Sequence, residues 1–195
     1  DALGCILAHT VRMSPLTVKK GTVIDAETIA KLKAAGLTTV IAARPQAGDI
    51  GEDDAAGRIA QIITGENVRA AAPFTGRSNL YALSAGLFTG DRDHITQLNR
   101  VDEAMTVATL PPFCHVSAGQ MIATVKIIPF MVPEVKLAQL EDISKTESIC
   151  LSVASFRPLN VNVILSRLPG DTEKIVDIRR NAITKRVSSL GGSVN

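Results

Sequence analysis

The segment Thr75-Gly76-Arg77-Ser78-Asn79 contains the residue types that bind phosphate groups. It brings together a glycine, two hydroxyls, an amide and a guanidinium. Backbone N–H groups at a glycine turn and the fork of an arginine are donors that hold phosphate oxygens. We therefore predict an anion site with Thr75, Gly76, Arg77 and Asn79 as binding residues. The alternative is a solvated surface turn in which Arg77 packs or pairs with a neighbour, because short turns of this composition are common.

Lys126 interrupts the strongest strand pattern in the chain, Met121–Ile128. An ammonium group buried in such a strand loses several kcal/mol of hydration unless it meets an anion or reaches water. Two interpretations follow from this cost. Lys126 is either an anion ligand at a pocket or an edge residue whose stem runs along the sheet to solvent. We include Lys126 among the predicted binding residues.

Carboxylates near Asp49 raise the question of a metal ion. Asp49 with the run Glu52-Asp53-Asp54 has the oxygen ligands that Mg²⁺ prefers, and phosphate-bearing ligands often bring this ion. The same run also fits the first turn of a helix, where acids complement the helix dipole. The histidines and cysteines lack metal-ligand spacing, so no metal ligand is assigned. No Gly-x-Ser-x-Gly elbow is present, so no catalytic residue is assigned.

Composition limits the function classes. The 195 residues are 46% hydrophobic with a formal net charge of +2, a balance that gives no field strong enough to predict nucleic acid or an anionic membrane as partner. Three widely spaced cysteines suit a reducing compartment, so we expect a cytoplasmic protein. No apolar run reaches the roughly 20 residues of a membrane-spanning helix. We therefore expect no membrane segment.

The elements that would position these residues follow from hydrophobic periodicity and turn signals. Helices are predicted from Asp25 to Gly36, from Glu52 to Gly65, at Asp91–Asn99, at Pro133–Ile143 and at Glu173–Leu190. Strands are predicted at Leu3–Val11, Thr38–Ala42, Val68–Ala72, Leu80–Leu83, Ile149–Val153 and Val161–Leu165, with a polar loop at residues 73–79 and an element of unassigned type at Met105–Leu110. Met121–Ile128 is predicted to be central in a sheet and apolar on both faces. The fold class is α/β, with an α+β module at residues 1–148 and the start of an α/β domain at residues 149–195.

Four stretches together carry a resemblance to a known family: Ile6-Leu7-Ala8-His9-Thr10, residues 48–56, Phe74-Thr75-Gly76-Arg77-Ser78-Asn79-Leu80 and Ala123-Thr124-Val125-Lys126-Ile127-Ile128-Pro129-Phe130. They resemble a bacterial family of molybdopterin-binding proteins. Residues 16–50 also resemble the stretch that precedes the cofactor-binding domain of molybdopterin molybdenumtransferases. The likeness covers nearly the whole chain.

This resemblance implies a role in molybdenum cofactor biosynthesis or transfer, with molybdopterin or its nucleotide form as ligand. The family's glycine-rich cofactor segment is not among these residues, so we expect a fragment that ends before the main cofactor site and is inactive alone. If the longer protein is an enzyme, the resemblance implies a molybdopterin molybdenumtransferase-like activity. An alternative is a non-enzymatic module that pairs with another copy or with a molybdoenzyme and positions a cofactor domain. An unrelated metabolic enzyme with a phosphorylated substrate is a third possibility.

Overall fold

The computed structural model describes residues 2–146 and 151–195. Within them the chain is a mixed α/β protein with five helices and fifteen short strands. The predicted domain boundary between residues 148 and 149 lies outside the described residues, and so does the start of the strand predicted at Ile149–Val153.

The helices and strands are short, and most connections between them are turns. The helices are α1 (Ala26–Ala34), α2 (Glu52–Ile63), α3 (Arg92–Asn99), α4 (Glu134–Thr146) and α5 (Glu173–Ser189). The strands are β1 (Ile6–Leu7), β2 (Val11–Met13), β3 (Leu16–Val18), β4 (Ala42–Ala43), β5 (Asp49–Gly51), β6 (Val68–Ala70), β7 (Arg77–Ala82), β8 (Gly86–Thr89), β9 (Met105–Thr109), β10 (His115–Val116), β11 (Met121–Ile127), β12 (Met131–Pro133), β13 (Ser152–Ser155), β14 (Asn160–Val161) and β15 (Ser193–Val194).

Aspartate caps begin two of the helices. The Asp25 carboxylate accepts a hydrogen bond from the Thr28 N–H at 2.7 Å at the start of α1. The Asp91 carboxylate accepts one from the Asp93 N–H at 2.7 Å at the start of α3. These bonds satisfy N–H groups that the first helical turn leaves without a partner. They also lower the pKa of both aspartates.

A four-stranded antiparallel sheet in the order β6-β7-β11-β9 forms the centre of the molecule. The prediction that β11 is a central strand is confirmed, but the prediction that both of its faces are apolar is wrong. Val125 and Ile127 are buried, whereas Met121 and Lys126 are exposed. The reason is that α2 packs on β7 and β11 from one side only, so the other face of β11 is left to solvent and takes polar residues.

The main hydrophobic core lies between this sheet, the helices and a second sheet. That second sheet has the order β10-β8-β13. Leu151 and Val153 are buried in the same core as Phe88, so residues 151–155 pack with the preceding module. Helix α4 contacts α2, and Arg58 of α2 reaches Glu141 of α4 at 2.8 Å.

A smaller hydrophobic cluster supports the first 44 residues. Its buried members are Cys5, Leu7, Val18, Ile24 and Leu32. Of the strands predicted here, residues Ile6–Leu7 form β1 and residues Ala42–Ala43 form β4, and the two pair antiparallel. Helix α1 packs on them through Leu32.

The C-terminal residues form a β-α-β unit, as the sequence predicts. Strands β14 and β15 pair in parallel with α5 between them. The strand predicted at Val161–Leu165 is wrong in extent, since only Asn160–Val161 is paired. Helix α5 has one buried residue, Val176. None of the five helices in the described residues has the length and apolar character that crossing a bilayer requires.

Candidate functional site

Thr75 and Gly76 form the tight turn of a β-hairpin. The hairpin joins β6 to β7, and Phe74 and Arg77 exchange backbone hydrogen bonds across the turn at 2.8 and 3.2 Å. Both central residues have positive φ, 48° at Thr75 and 69° at Gly76, as a two-residue turn of the I′ kind requires. The predicted loop at residues 73–79 is therefore too long, because Arg77 already begins a strand.

The turn is held from the helix side by the start of α2. The Gly76 N–H donates to the Asp53 carboxylate at 2.7 Å. The Glu52 carboxylate lies so close to Gly76 that an added Cβ would meet its Oε2 at 2.7 Å. Burial raises the pKa of Glu52, the charge of Asp53 raises it further, and Lys20 opposes both. The N–H groups of Phe74, Gly76 and Arg77 thus already have acceptors, so an anion here would be held by side chains.

Three of the predicted binding residues lie together on the outer face of the four-stranded sheet. Arg77 of β7 and Lys126 of β11 are direct register partners, and Asn79 of β7 is the partner of Thr124. In an antiparallel pair the Cβ atoms of opposite residues are about 4.5–5.5 Å apart. Arg77 and Lys126 are both exposed, so no desolvation penalty applies to either cation. Lys126 reaches solvent, as one of the two interpretations expects, but from a central strand and not from an edge strand.

Two further residues on this face were not identified from the sequence. Arg69 of β6 is the register partner of Tyr81 of β7, and its guanidinium lies 5.4 Å from the centre of the Tyr81 ring. The Asn79 amide donates to the Tyr81 hydroxyl at 3.4 Å. The period-two alternation of buried Ser78, Leu80 and Ala82 with Arg77, Asn79 and Tyr81 would have revealed this row, had the strand been started at Arg77.

The outer face is positively charged. We define it as the residues Arg69, Arg77, Asn79, Tyr81, Thr106, Thr124 and Lys126. The four strands that form it contain no acidic residue. Within residues 2–146 and 151–195, neither Arg77 nor Lys126 has a carboxylate at ion-pair distance. Like charges directly opposite on neighbouring strands destabilise a sheet. An anion between the two cations would relieve that repulsion.

Comparison with known proteins adds no relative to this picture. No protein-family model, no curated protein and no solved structure matches the chain.

Two of the four carboxylates considered for Mg²⁺, those of Asp49 and Asp53, accept hydrogen bonds from backbone N–H groups. Asp49 accepts from the Gln46 N–H at 2.9 Å, and Asp53 accepts from Gly76. In the part of the chain that the structure describes, no group of three or more histidine, cysteine, aspartate or glutamate side chains could hold a metal ion. Mg²⁺ binding by Asp49 with the run Glu52-Asp53-Asp54 stays a prediction.

The larger cavities lie away from the outer face. One of about 830 Å³ lies between α3 and α4, with Arg100, Gln139 and Asp142 in its walls. Another of about 510 Å³ lies beside α1 and includes Cys5 in its lining. Neither is lined by the predicted binding residues, and Arg77 and Lys126 are exposed on the surface of the sheet.

Proposed function

We propose that this chain binds the phosphate group of a molybdopterin-type cofactor on its outer face and serves in molybdenum cofactor biosynthesis or transfer. Arg77 and Lys126 hold the phosphate oxygens, and Asn79 supplies a neutral donor beside them. Thr75 and Gly76 form the turn that fixes where the Arg77 strand begins. The formal net charge of +2 favours a small phosphorylated ligand over nucleic acid.

The observation that carries the proposal is the pairing of Arg77 with Lys126 across two neighbouring strands. Two exposed cations without an acidic partner form a site that a doubly charged phosphate neutralises, and charge-assisted bonds of this kind are the stronger ones. The stretches that resemble molybdopterin-binding proteins include both of these residues. The proposal also includes a cytoplasmic location. The two cysteines among the described residues are free, as is typical of a reducing compartment.

Titration with a phosphorylated pterin tests the proposal. We expect Arg77→Gln and Lys126→Gln each to weaken binding by about tenfold, because each removes one charge-assisted contact. Pterin fluorescence gives the dissociation constants directly. Mass spectrometry of the purified protein for co-purified pterin is the complementary measurement.

Lys145→Gln is the matched control. Lys145 is an exposed cation near the end of α4, a helix that contacts α2 and is not part of the sheet. The substitution changes the net charge as Lys126→Gln does but leaves the outer face intact. Equal effects of the two substitutions, or no binding by the wild type, would overturn the proposal.

A second candidate function is a non-enzymatic module that pairs with another copy or a molybdoenzyme. It is favoured by the C-terminal unit, in which a two-stranded parallel sheet is accompanied by one helix while Ile178 is 58% exposed. Parallel strands are usually covered on both faces. This candidate predicts a concentration-dependent mass in light scattering and no effect of Arg77→Gln on ligand binding.

A further inference from the structure

The Arg69 guanidinium lies over the Tyr81 ring at the opposite end of the outer face from Lys126. The Arg69 guanidinium lies 5.4 Å from the Tyr81 ring centre. The Tyr81 hydroxyl is further tied to Asn79 at 3.4 Å. Planar heteroaromatic rings stack on tyrosine rings and on guanidinium planes alike. A ligand ring bound here would contact the Tyr81 ring, whose position is held by Arg69 and Asn79.

The spacing between this pair and the two cations restricts the ligand. Arg77 and Tyr81 are four residues apart on the same strand, and four residues of an antiparallel strand span about 14 Å. Asn79 lies between them, so the row from Tyr81 to Arg77 is polar throughout. A ligand that contacts both ends therefore needs a spacer between its ring and its phosphate.

We propose that Tyr81, with the Arg69 guanidinium over its ring, forms a subsite that binds the planar ring of a ligand, called here the ring subsite. The outer face then binds phosphate-bearing ligands whose planar heteroaromatic ring is joined to the phosphate through a linker. This inference deepens the proposed function, since it uses the same Arg77 and Lys126 phosphate position. It adds two residues that the cofactor assignment does not include. It also names the chemical class of the ligand without requiring that the ring be a pterin.

Flavin mononucleotide is a suitable probe, because it carries a planar ring, a linker and a phosphate. Riboflavin supplies the ring without the phosphate, and inorganic phosphate supplies the anion alone. With wild-type protein we expect flavin mononucleotide to bind at least about tenfold more tightly than either part, since a stacked base alone contributes a factor of this size. Binding no tighter than inorganic phosphate would overturn the inference.

Substitutions at the ring subsite separate stacking from general damage to the sheet. Tyr81→Leu should weaken flavin mononucleotide by about tenfold and leave inorganic phosphate unchanged, whereas Tyr81→Phe should keep most of the affinity because the ring remains. Arg69→Gln is the second variant, and it should weaken flavin mononucleotide in the same direction while leaving Tyr81 in the sheet. Unchanged flavin mononucleotide binding in Tyr81→Leu and Arg69→Gln would overturn the inference.

The pterin arm distinguishes failure of this inference from failure of the proposed function. If a phosphorylated pterin binds, and its binding is weakened by Lys126→Gln but not by Tyr81→Leu, the proposed function is supported and the ring subsite is contradicted. If flavin mononucleotide binds through Tyr81 while the pterin does not bind, the ring subsite is supported and the cofactor assignment is contradicted.

Discussion

Glu52 at the first position of α2 is a carboxylate whose ionisation opposes folding. Burial raises the pKa of this carboxyl above its ordinary value, and the charge of Asp53 raises it further. A raised folded pKa means that the stabilising contribution is complete below the unfolded value, near pH 4.5, and is lost as the pH rises through the folded pKa. Ionised Glu52 therefore stabilises the fold less at neutral pH than protonated Glu52 does below pH 4.5.

We predict that Glu52→Gln gains stability relative to the wild type as the pH increases from 4.5 to 7.5, because glutamine has no charge to bury. Urea unfolding at several pH values gives the difference in the free energy of unfolding at each. Asp54→Asn, in the same first turn, measures the effect of removing a carboxylate from the helix start. A difference between Glu52→Gln and wild type that stays constant over this range would contradict the prediction.

Gly76 is the residue on which the position of Arg77 depends. It has φ of 69°, and an added Cβ would meet the Glu52 Oε2 at 2.7 Å and the Ile127 carbonyl at 3.0 Å. We predict that Gly76→Ala destabilises the protein by about 2–4 kcal/mol, the sum of left-handed backbone strain and a crowded site.

Gly119→Ala separates these two effects in the same unfolding assay. Gly119 has φ of 80° but nothing within 4 Å of an added Cβ, so its substitution carries the backbone strain of about 1–2 kcal/mol alone. A loss of stability at Gly76 no larger than the loss at Gly119 would show that the Glu52 contact is unimportant.

Strand β9 is an edge strand whose free side is closed by a single amide. The Asn99 side chain donates to the Val107 carbonyl at 2.9 Å and accepts from the Val107 N–H at 2.7 Å. It therefore takes the place of a neighbouring strand at the centre of the edge, a position at which unpaired backbone groups invite association with other chains. Asn99 is at the C-terminal end of α3, so one residue joins the helix to the sheet.

We predict that Asn99→Ala costs about 1–3 kcal/mol of unfolding free energy, because two backbone groups lose their partner. The open edge should also increase self-association, which light scattering at rising protein concentration measures. Gln97→Ala, on the same helix and exposed, should change the free energy of unfolding by less than about 0.5 kcal/mol and leave self-association unchanged. Equal effects of the two substitutions would contradict the capping role of Asn99.

At the scale of elements, the sequence predicts the positions of helices better than it predicts where strands begin and end. Asp25 and the acidic start of α2 carry local capping signals, and both helices form where these signals lie. The start of β7 carries a misleading signal, because Thr75, Gly76 and the polar residues after them read as one long loop. Arg77 and Asn79 belong to a strand that pairs with β11, and this pairing depends on residues about 50 positions away.

The same limit applies to the candidate site. The sequence identified Arg77, Asn79 and Lys126 by residue type, but their common face follows from the register between β7 and β11. It did not identify Tyr81 and Arg69, because their contact depends on the register between β6 and β7.

At the scale of the whole molecule, the C-terminal β-α-β unit differs from the rest in how little it buries. Val176 is the one buried residue of α5, whereas most of β11 is enclosed by the main core. The contacts that connect the unit to the body of the protein include His115, whose ring stacks on Phe156 at 5.3 Å and whose Nε2 lies 3.4 Å from the Ser189 carbonyl.

Segments with few buried apolar contacts open at lower free energy than the core, so this unit should unfold separately. We predict that amide hydrogen exchange in α5 is at least about tenfold faster than in β11, and that His115→Ala accelerates exchange in α5 while leaving β11 unchanged. Mass spectrometry of peptic fragments resolves the two segments. Because a single cooperative unit would expose α5 and β11 together, equal protection of the two would show that the C-terminal unit is part of the main core's folding unit.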